Sequence, residues 1–260
     1  MNSLKLIASS FLDEFYTRFS HSPLSTGLIT GAVVLSPLVI RNYLSFLSLK
    51  PSYGMANPLI YLLSLTLKFG FSRETLTTAE YVANGEVKGS WLKSSLPRRK
   101  GDRPTIAWFP APHRQLTQLG SEQMNQNVKS ILREGSANYP DSVEIRRSAH
   151  EGHLDALFVG PEILRSNTDT TNGTRKSAYG EIAHVHSGFD YSVHVLPAPQ
   201  DCKAIIDNGW GERHPCAGSI KGMPKEYILL YTPRNDEDLA VIKNILDAAI
   251  RFMTGEPALS

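Results

Sequence analysis

Four of the eight histidines of this chain fall between Glu181 and Pro215. His184 and His186 stand two apart, which puts both imidazoles on one face of a β-strand. A turn signal, Ser187-Gly188-Phe189, precedes Asp190 and His194, and His214 closes a Gly-Trp-Gly-Glu-Arg-His-Pro run. Imidazole titrates near neutrality, so such a group suits proton transfer or metal ligation, with a nearby carboxylate to orient one ring.

These residues need a β-hairpin to bring them together. With Ser187 to Phe189 as the loop, one face carries His184, His186, Asp190, Ser192 and His194. The other carries Ala183, Val185, Tyr191, Val193 and Val195. A one-residue slip would put His194 among the apolar side chains. The three-residue loop is therefore expected, with Gly188 at positive φ. A polar strand face can also simply be solvated; a cluster of ionisable groups on one patch weighs toward a site.

The chain has 260 residues, 41% hydrophobic, with a net charge of +2. That suits one globular domain with an additional segment, and it gives no field that would draw nucleic acid. The basic cluster Lys93, Arg98, Arg99, Lys100 and Arg103 lacks interleaved aromatics and reads as a solvated connector. Cys202 and Cys216 are the only cysteines, too few for a disulfide scaffold and not spaced for a zinc finger. Asn172-Gly173-Thr174 is a glycosylation sequon, relevant only in a lumenal segment.

Three parts are expected. Residues 1–70 hold an amphipathic helix over 3–20 and an uncharged run of nineteen residues, Ser22 to Ile40, long enough for a membrane anchor. Lys5 and Arg18 before it balance Arg41 and Lys50 after it, so orientation is undetermined. The second apolar run, ending in Leu59 to Phe71, is too short to span and reads as monotopic or core-packed. Residues 71–120 are a connector, with a short helix between Thr75 and Trp91 and irregular chain up to Gln118. Residues 121–256 are a folded domain. Its helix starts at Ser121 and ends at Gly135. Strands follow over 142–150 and 154–159, then a polar, mobile loop over 166–177, then the hairpin. A helix over 200–208, a strand over 225–232 and a last helix capped by Asn235 complete it. The fold class is α+β: an antiparallel sheet of about five strands with helices on one face, preceded by the anchor helix.

There is no P-loop, no Gly-x-Ser-x-Gly elbow, no Gly-x-Gly-x-x-Gly after a strand and no His-Glu-x-x-His. His150-Glu151-Gly152-His153 is too tight for the last of these and belongs at a turn. Nucleotide enzymes, serine hydrolases of the common fold and zincins lose weight.

Several runs together carry a resemblance. They are Glu181 to His186, Asp190 with His194, Gln200-Asp201, Gly209 to Pro215 and Tyr231 to Asp238. Arg41, Tyr43, Pro51-Ser52-Tyr53, Trp91, Leu96-Pro97 and Arg103-Pro104 extend it toward the N-terminus. On these motifs the chain resembles the fungal luciferase family. The resemblance implies a membrane-associated enzyme, single-pass and expected in the endoplasmic reticulum. It implies oxidation of a styryl-pyrone, 3-hydroxyhispidin, by molecular oxygen with loss of carbon dioxide and emission of light. Molecular oxygen is the co-substrate, and no flavin, nucleotide or metal is implied. On this reading His184 or His186 is the candidate base, Asp190 orients one imidazole and His194 completes the catalytic set. Arg213 and His214, with Arg234, would hold the developing anion. Tyr191, Trp210, Tyr227 and Tyr231 would wall the flat substrate. Luminous members carry bulkier polar residues, a histidine among them, where this chain has Ser187-Gly188-Phe189. A dark homologue therefore stays open, either with a 2-His-1-carboxylate iron site of His184, His186 and Asp190 or as a non-catalytic binding module for aromatic metabolites.

Overall fold

A computed structural model describes residues 2–49, 57–83, 89–166 and 172–259. Pro51-Ser52-Tyr53 and residues 167–171 of the expected polar loop lie outside them. The chain divides into two compact units, residues 1–48 and 49–260.

The first unit is two helices, α1 (Asn2–His21) and α2 (Pro23–Ser48). Helix α2 runs eight residues further than the uncharged stretch and past Arg41; it is 26 residues long, about 39 Å at 1.5 Å per residue. It is long and apolar enough to cross a membrane, and none of its most apolar window is buried.

The second unit opens with α3 (Pro58–Gly70), where Asn57 accepts backbone hydrogen bonds from Leu59 and Ile60. Helix α4 (Ala79–Ala83) is the described part of the helix expected between Thr75 and Trp91. The helix from Ser121, α5 (Glu122–Asn138), does not stop at Gly135. Gly135 is buried within it because a Cβ there would meet Ile250 and Leu157 at 3.0 and 3.1 Å. The glycine is a point of close packing, not a terminator. Strands β1 (Val143–Arg147) and β2 (Asp155–Val159) follow, then two short helices, α6 (Pro161–Arg165) and α7 (Asn172–Ser177). The second of these occupies part of the segment read as a loop. The hairpin is β3 (Glu181–Val185) and β4 (Val193–Val195). Helix α8 (Pro199–Asp207), strands β5 (Gly211–Arg213) and β6 (Ile228–Leu230), and helix α9 (Asp236–Thr254) complete the chain. Asn235 caps α9 by accepting from the Asp238 amide.

The sheet has six antiparallel strands in the order β1-β2-β3-β4-β6-β5. The strand not foreseen is β5, only three residues long and too short to show an alternation of its own. Gly211 is required there: a Cβ would lie 2.5 Å from the Leu229 carbonyl oxygen.

The hairpin register differs from expectation by two residues. His184 pairs with His194, and the His186 amide donates to the Ser192 carbonyl, leaving a five-residue loop, Ser187–Tyr191. Gly188 and Tyr191 both take positive φ in that loop. A shift of two preserves the period of the strand, so the faces stay as read from the sequence. Leu157, Ala183, Val185, Val193, Val195, Ile228 and Leu230 join Val128 and Ile131 of α5 and Ile242 and Leu246 of α9 in the core. The opposite face carries His184, His186, Ser192, His194 and Glu212.

Candidate functional site

The histidine face is not solvated. Helices cover the apolar face, and the irregular chain around 103–118 covers the polar one. Residues 105–107 and 114–116 form a short two-stranded loop: Ala107 donates to the Arg114 carbonyl and Leu116 to the Thr105 carbonyl, both at 2.8 Å. This loop is pinned to the hairpin. The Gln115 amide donates to Asp190 Oδ2 at 3.0 Å, and Gln115 Oε1 accepts from the Thr232 amide at 2.9 Å. The β1–β2 turn, where His150 and Glu151 fall as expected, closes the other side through Arg114, which donates to both Glu151 oxygens at 3.2 Å.

Six imidazoles meet in this layer. His184, His186 and His194 have ring centroids 4.9 to 5.5 Å apart. His214 and His113 adjoin His194 at 5.5 and 5.6 Å, and His113 lies 4.9 Å from His214. His150 lies 6.3 Å from His184. Tyr227 stacks flat on His194, at 4.6 Å and 6°.

One nitrogen of His184 and one of His186 are held by acids. Glu181 Oε1 lies 2.6 Å from His184 Nδ1; Asp190 Oδ2 and Ser192 Oγ lie 3.2 and 2.9 Å from His186 Nδ1. Asp190 thus orients an imidazole, as the sequence suggested. It does not complete an iron triad: it sits on the Nδ1 side of His186, and the ring nitrogens that approach one another belong to His184, His186 and His194. Burial, then Arg114, pushes His186 down to about 4. Burial, then the neighbouring imidazoles, pushes His194 and His214 well below their usual range. His186, His194 and His214 are therefore neutral rings near neutral pH.

A cleft of about 490 Å³ opens beside the cluster, lined by Lys68, Arg103, Ile106, Trp108, His113 and Glu212 among others. Its inner wall is a histidine–carboxylate pair. Glu212 Oε1 lies 3.5 Å from His113 Nε2, while Glu212 Oε2 accepts from Arg103 and, at 2.9 Å, from Tyr231. Burial pushes the Glu212 carboxyl up, but His113 and Arg103 outweigh it and hold it at about 2. Its stabilising effect is therefore full above the usual 4.5 and lost as pH falls through about 2. Glu212→Gln is expected to flatten that acid limb of stability, which thermal unfolding at stepped pH would record; an unchanged limb would show the pair contributes nothing.

Other expected site residues lie elsewhere. Arg213 is on the opposite face of β5, paired with Glu80 and donating to the Glu74 carbonyl. Arg234 pairs with Asp238 at 2.7 Å. The Trp210 indole donates to the Pro97 carbonyl at 2.6 Å, and Tyr191 is a core residue with Lys129 over its ring. Of the four aromatics expected as substrate walls, none lines the cleft; Trp108 does. The solvated reading of the basic connector fails at Arg99, which is buried over the Tyr231 ring at 5.5 Å; Arg103 stays exposed but pairs with the buried Glu212. His113, Arg114 and Gln115 lie in a stretch without periodicity, so nothing in the sequence marked them. Glu212 was missed as well, because β5 is too short for its alternation with His214 to be read from the sequence.

Comparison with known proteins matches these observations. The family model described as "Luciferase domain" matches residues 179–249, from the start of the hairpin into α9. A luciferase of Neonothopanus nambi is 33% identical over 244 residues, covering 90% of this chain and 88% of that protein. A luciferase of Armillaria mellea is 34% identical over 237 residues, with 88% and 86% covered. No solved structure gives a match. With about a third of residues identical over most of both chains, the chain belongs to the fungal luciferase family.

Proposed function

We propose that this chain is a luciferase-like oxygenase. It oxidises an enolic styryl-pyrone of the 3-hydroxyhispidin type with molecular oxygen, releases carbon dioxide and emits light. The observation that carries this reading is the cleft with His113 and Glu212 at its inner wall. Deprotonation turns the enol into an electron-rich enolate that reacts with oxygen. His113, with a carboxylate oxygen 3.5 Å from its Nε2, is the imidazole in the cleft wall that would take that proton, a role the sequence had suggested for His184 or His186. Arg103 and Lys68 supply positive charge beside the enolate, and Trp108 offers a flat wall. The motifs for flavin or nucleotide binding are absent from the sequence, which supports a reaction without an organic cofactor.

Family membership and the cleft favour this over a non-catalytic binding module. The departure at Ser187-Gly188-Phe189 favours a dark homologue less than the sequence suggested, because none of these residues lines the cleft.

The membrane part of the reading rests on α2 and on α3. Helix α3 leaves Leu59 and Phe69 more than three-quarters exposed, and Phe69 packs on Trp108 at the cleft with ring centroids 5.8 Å apart. An apolar pyrone dissolved in a bilayer would meet the cleft at its lipid side. Removing residues 1–48 is expected to move the protein from the endoplasmic reticulum fraction toward the soluble fraction. A full-length chain already soluble without detergent would overturn the anchor.

The test of the reaction is to add 3-hydroxyhispidin to membranes containing the protein while recording photons and oxygen uptake together. Light with oxygen uptake is expected. Uptake without light would leave an oxygenase and remove the luciferase reading; neither signal would overturn both.

A further inference from the structure

The trio of His184, His186 and His194 lies in the layer behind His113, and none of the three lines the cleft. Their ring nitrogens nearest one another all lie within 4.8 Å. We propose that these three imidazoles are a binding site for one divalent first-row transition-metal ion.

Three observations support it. First, each of the three rings has a buried nitrogen without a hydrogen-bond partner: Nε2 of His184, Nε2 of His186 and Nδ1 of His194. His186 Nε2 lies 3.5 Å from Glu151 Oε1, too far for a good hydrogen bond. A buried polar atom ordinarily has a partner.

Second, in two of the three rings the other nitrogen is arranged as metal-binding histidines require. When Nδ1–H donates to a carboxylate, Nε2 presents its lone pair and the ring is fixed in orientation. Glu181 does this for His184, and Asp190 with Ser192 does it for His186.

Third, the adjacent trio fails the same test. His113, His194 and His214 also bring ring nitrogens within 4.8 Å. But His214 Nδ1 accepts from the Cys216 amide at 3.1 Å, so its lone pair is taken and its proton sits on the other nitrogen. Of the two trios found among the described residues, the hairpin trio is the one in which every ring keeps a buried nitrogen without a partner, once His214 is excluded.

The donor set decides the class of ion. Calcium and magnesium take oxygen ligands, whereas neutral imidazole suits iron, zinc, copper and nickel. An ion bonded at about 2.1 Å to three nitrogens needs them about 3.4 Å apart. The rings would draw together by less than about an ångström each, a small adjustment for side chains. The inference concerns metal binding alone and does not rest on the proposed reaction.

The test uses the full-length protein, purified in detergent through a tag without histidine. The protein is stripped with chelator, titrated with Co2+ and followed by visible absorption. Metal content of the untreated protein is measured by mass spectrometry. About one equivalent of a transition metal per chain is expected, together with a saturable Co2+ spectrum of nitrogen ligation. Glu181→Gln, which weakens the hold on His184 without removing a ligand, is expected to reduce Co2+ affinity by about 10- to 100-fold. His194→Gln is expected to abolish the spectrum, and His214→Gln to leave it. Stripped wild-type protein that takes up no Co2+ would overturn the site. So would equal loss in the His214 and His194 variants, or binding that survives in both the Glu181 and His194 variants. Circular dichroism identifies any variant that fails to fold, and the remaining variant then decides.

Discussion

His113→Ala is expected to lower pyrone-dependent oxygen consumption by about 10²- to 10⁴-fold, the range for loss of a positioned general base. The argument is one of access. Among six neighbouring imidazoles, His113 is the one in the lining of the cleft, where a substrate of pyrone size would sit. His184 and His186 turn one nitrogen to Glu181 and Asp190 and the other inward, so neither faces the cleft. The effect should fall on kcat more than on KM, because the lost interaction belongs to the transition state. Glu212→Gln should reproduce part of it, since the Glu212 carboxylate beside the ring stabilises the imidazolium that forms on proton transfer. Initial rates of oxygen uptake across a pyrone titration measure both. A His113→Ala protein with wild-type kcat would return the role of base to the hairpin histidines.

Asp190→Ala is expected to cost about 3 kcal/mol of stability. Asp190 is fully buried. Its Oδ2 meets three donors from two segments: the Gln115 amide at 3.0 Å, Ser192 Oγ at 2.7 Å and His186 Nδ1 at 3.2 Å. Its backbone carbonyl accepts from Thr232 as well. Truncation leaves the buried Gln115 amide and Ser192 hydroxyl without their acceptor, and it cuts one tie between the covering loop and the hairpin. For a folded unit of about 200 residues, that loss lowers the melting temperature by roughly 6–12 °C. Asp190→Asn, which keeps the volume and one acceptor oxygen, should lose less. Thermal unfolding followed by near-UV circular dichroism compares the two. Equal melting temperatures for wild type and Asp190→Ala would mean the loop is held by other contacts.

The sequence alone determined which side chains share the histidine face. Strand period is two, and the observed register shift of two residues left every side chain on its expected face. It also determined the long apolar helix near the N-terminus, the Asn235 cap of α9 and the α+β class, because each rests on local pattern. The motifs from Glu181 to Asp238 were enough to indicate the family. Tertiary structure decided the rest. The polar face is buried, not solvated, because a loop without periodicity folds over it. Local pattern carries no information about which distant segment will cover a sheet. The same loop delivers His113 to the inner wall of the cleft and Arg103 to Glu212, from residues 103–118 that read as irregular connector. Arg213 moved the other way: its neighbour His214 faces the cluster, but β5 turns Arg213 to the opposite face, where Glu80 takes its charge. Which imidazole meets the cleft depends on contacts between residues about a hundred positions apart, and only the folded chain sets those.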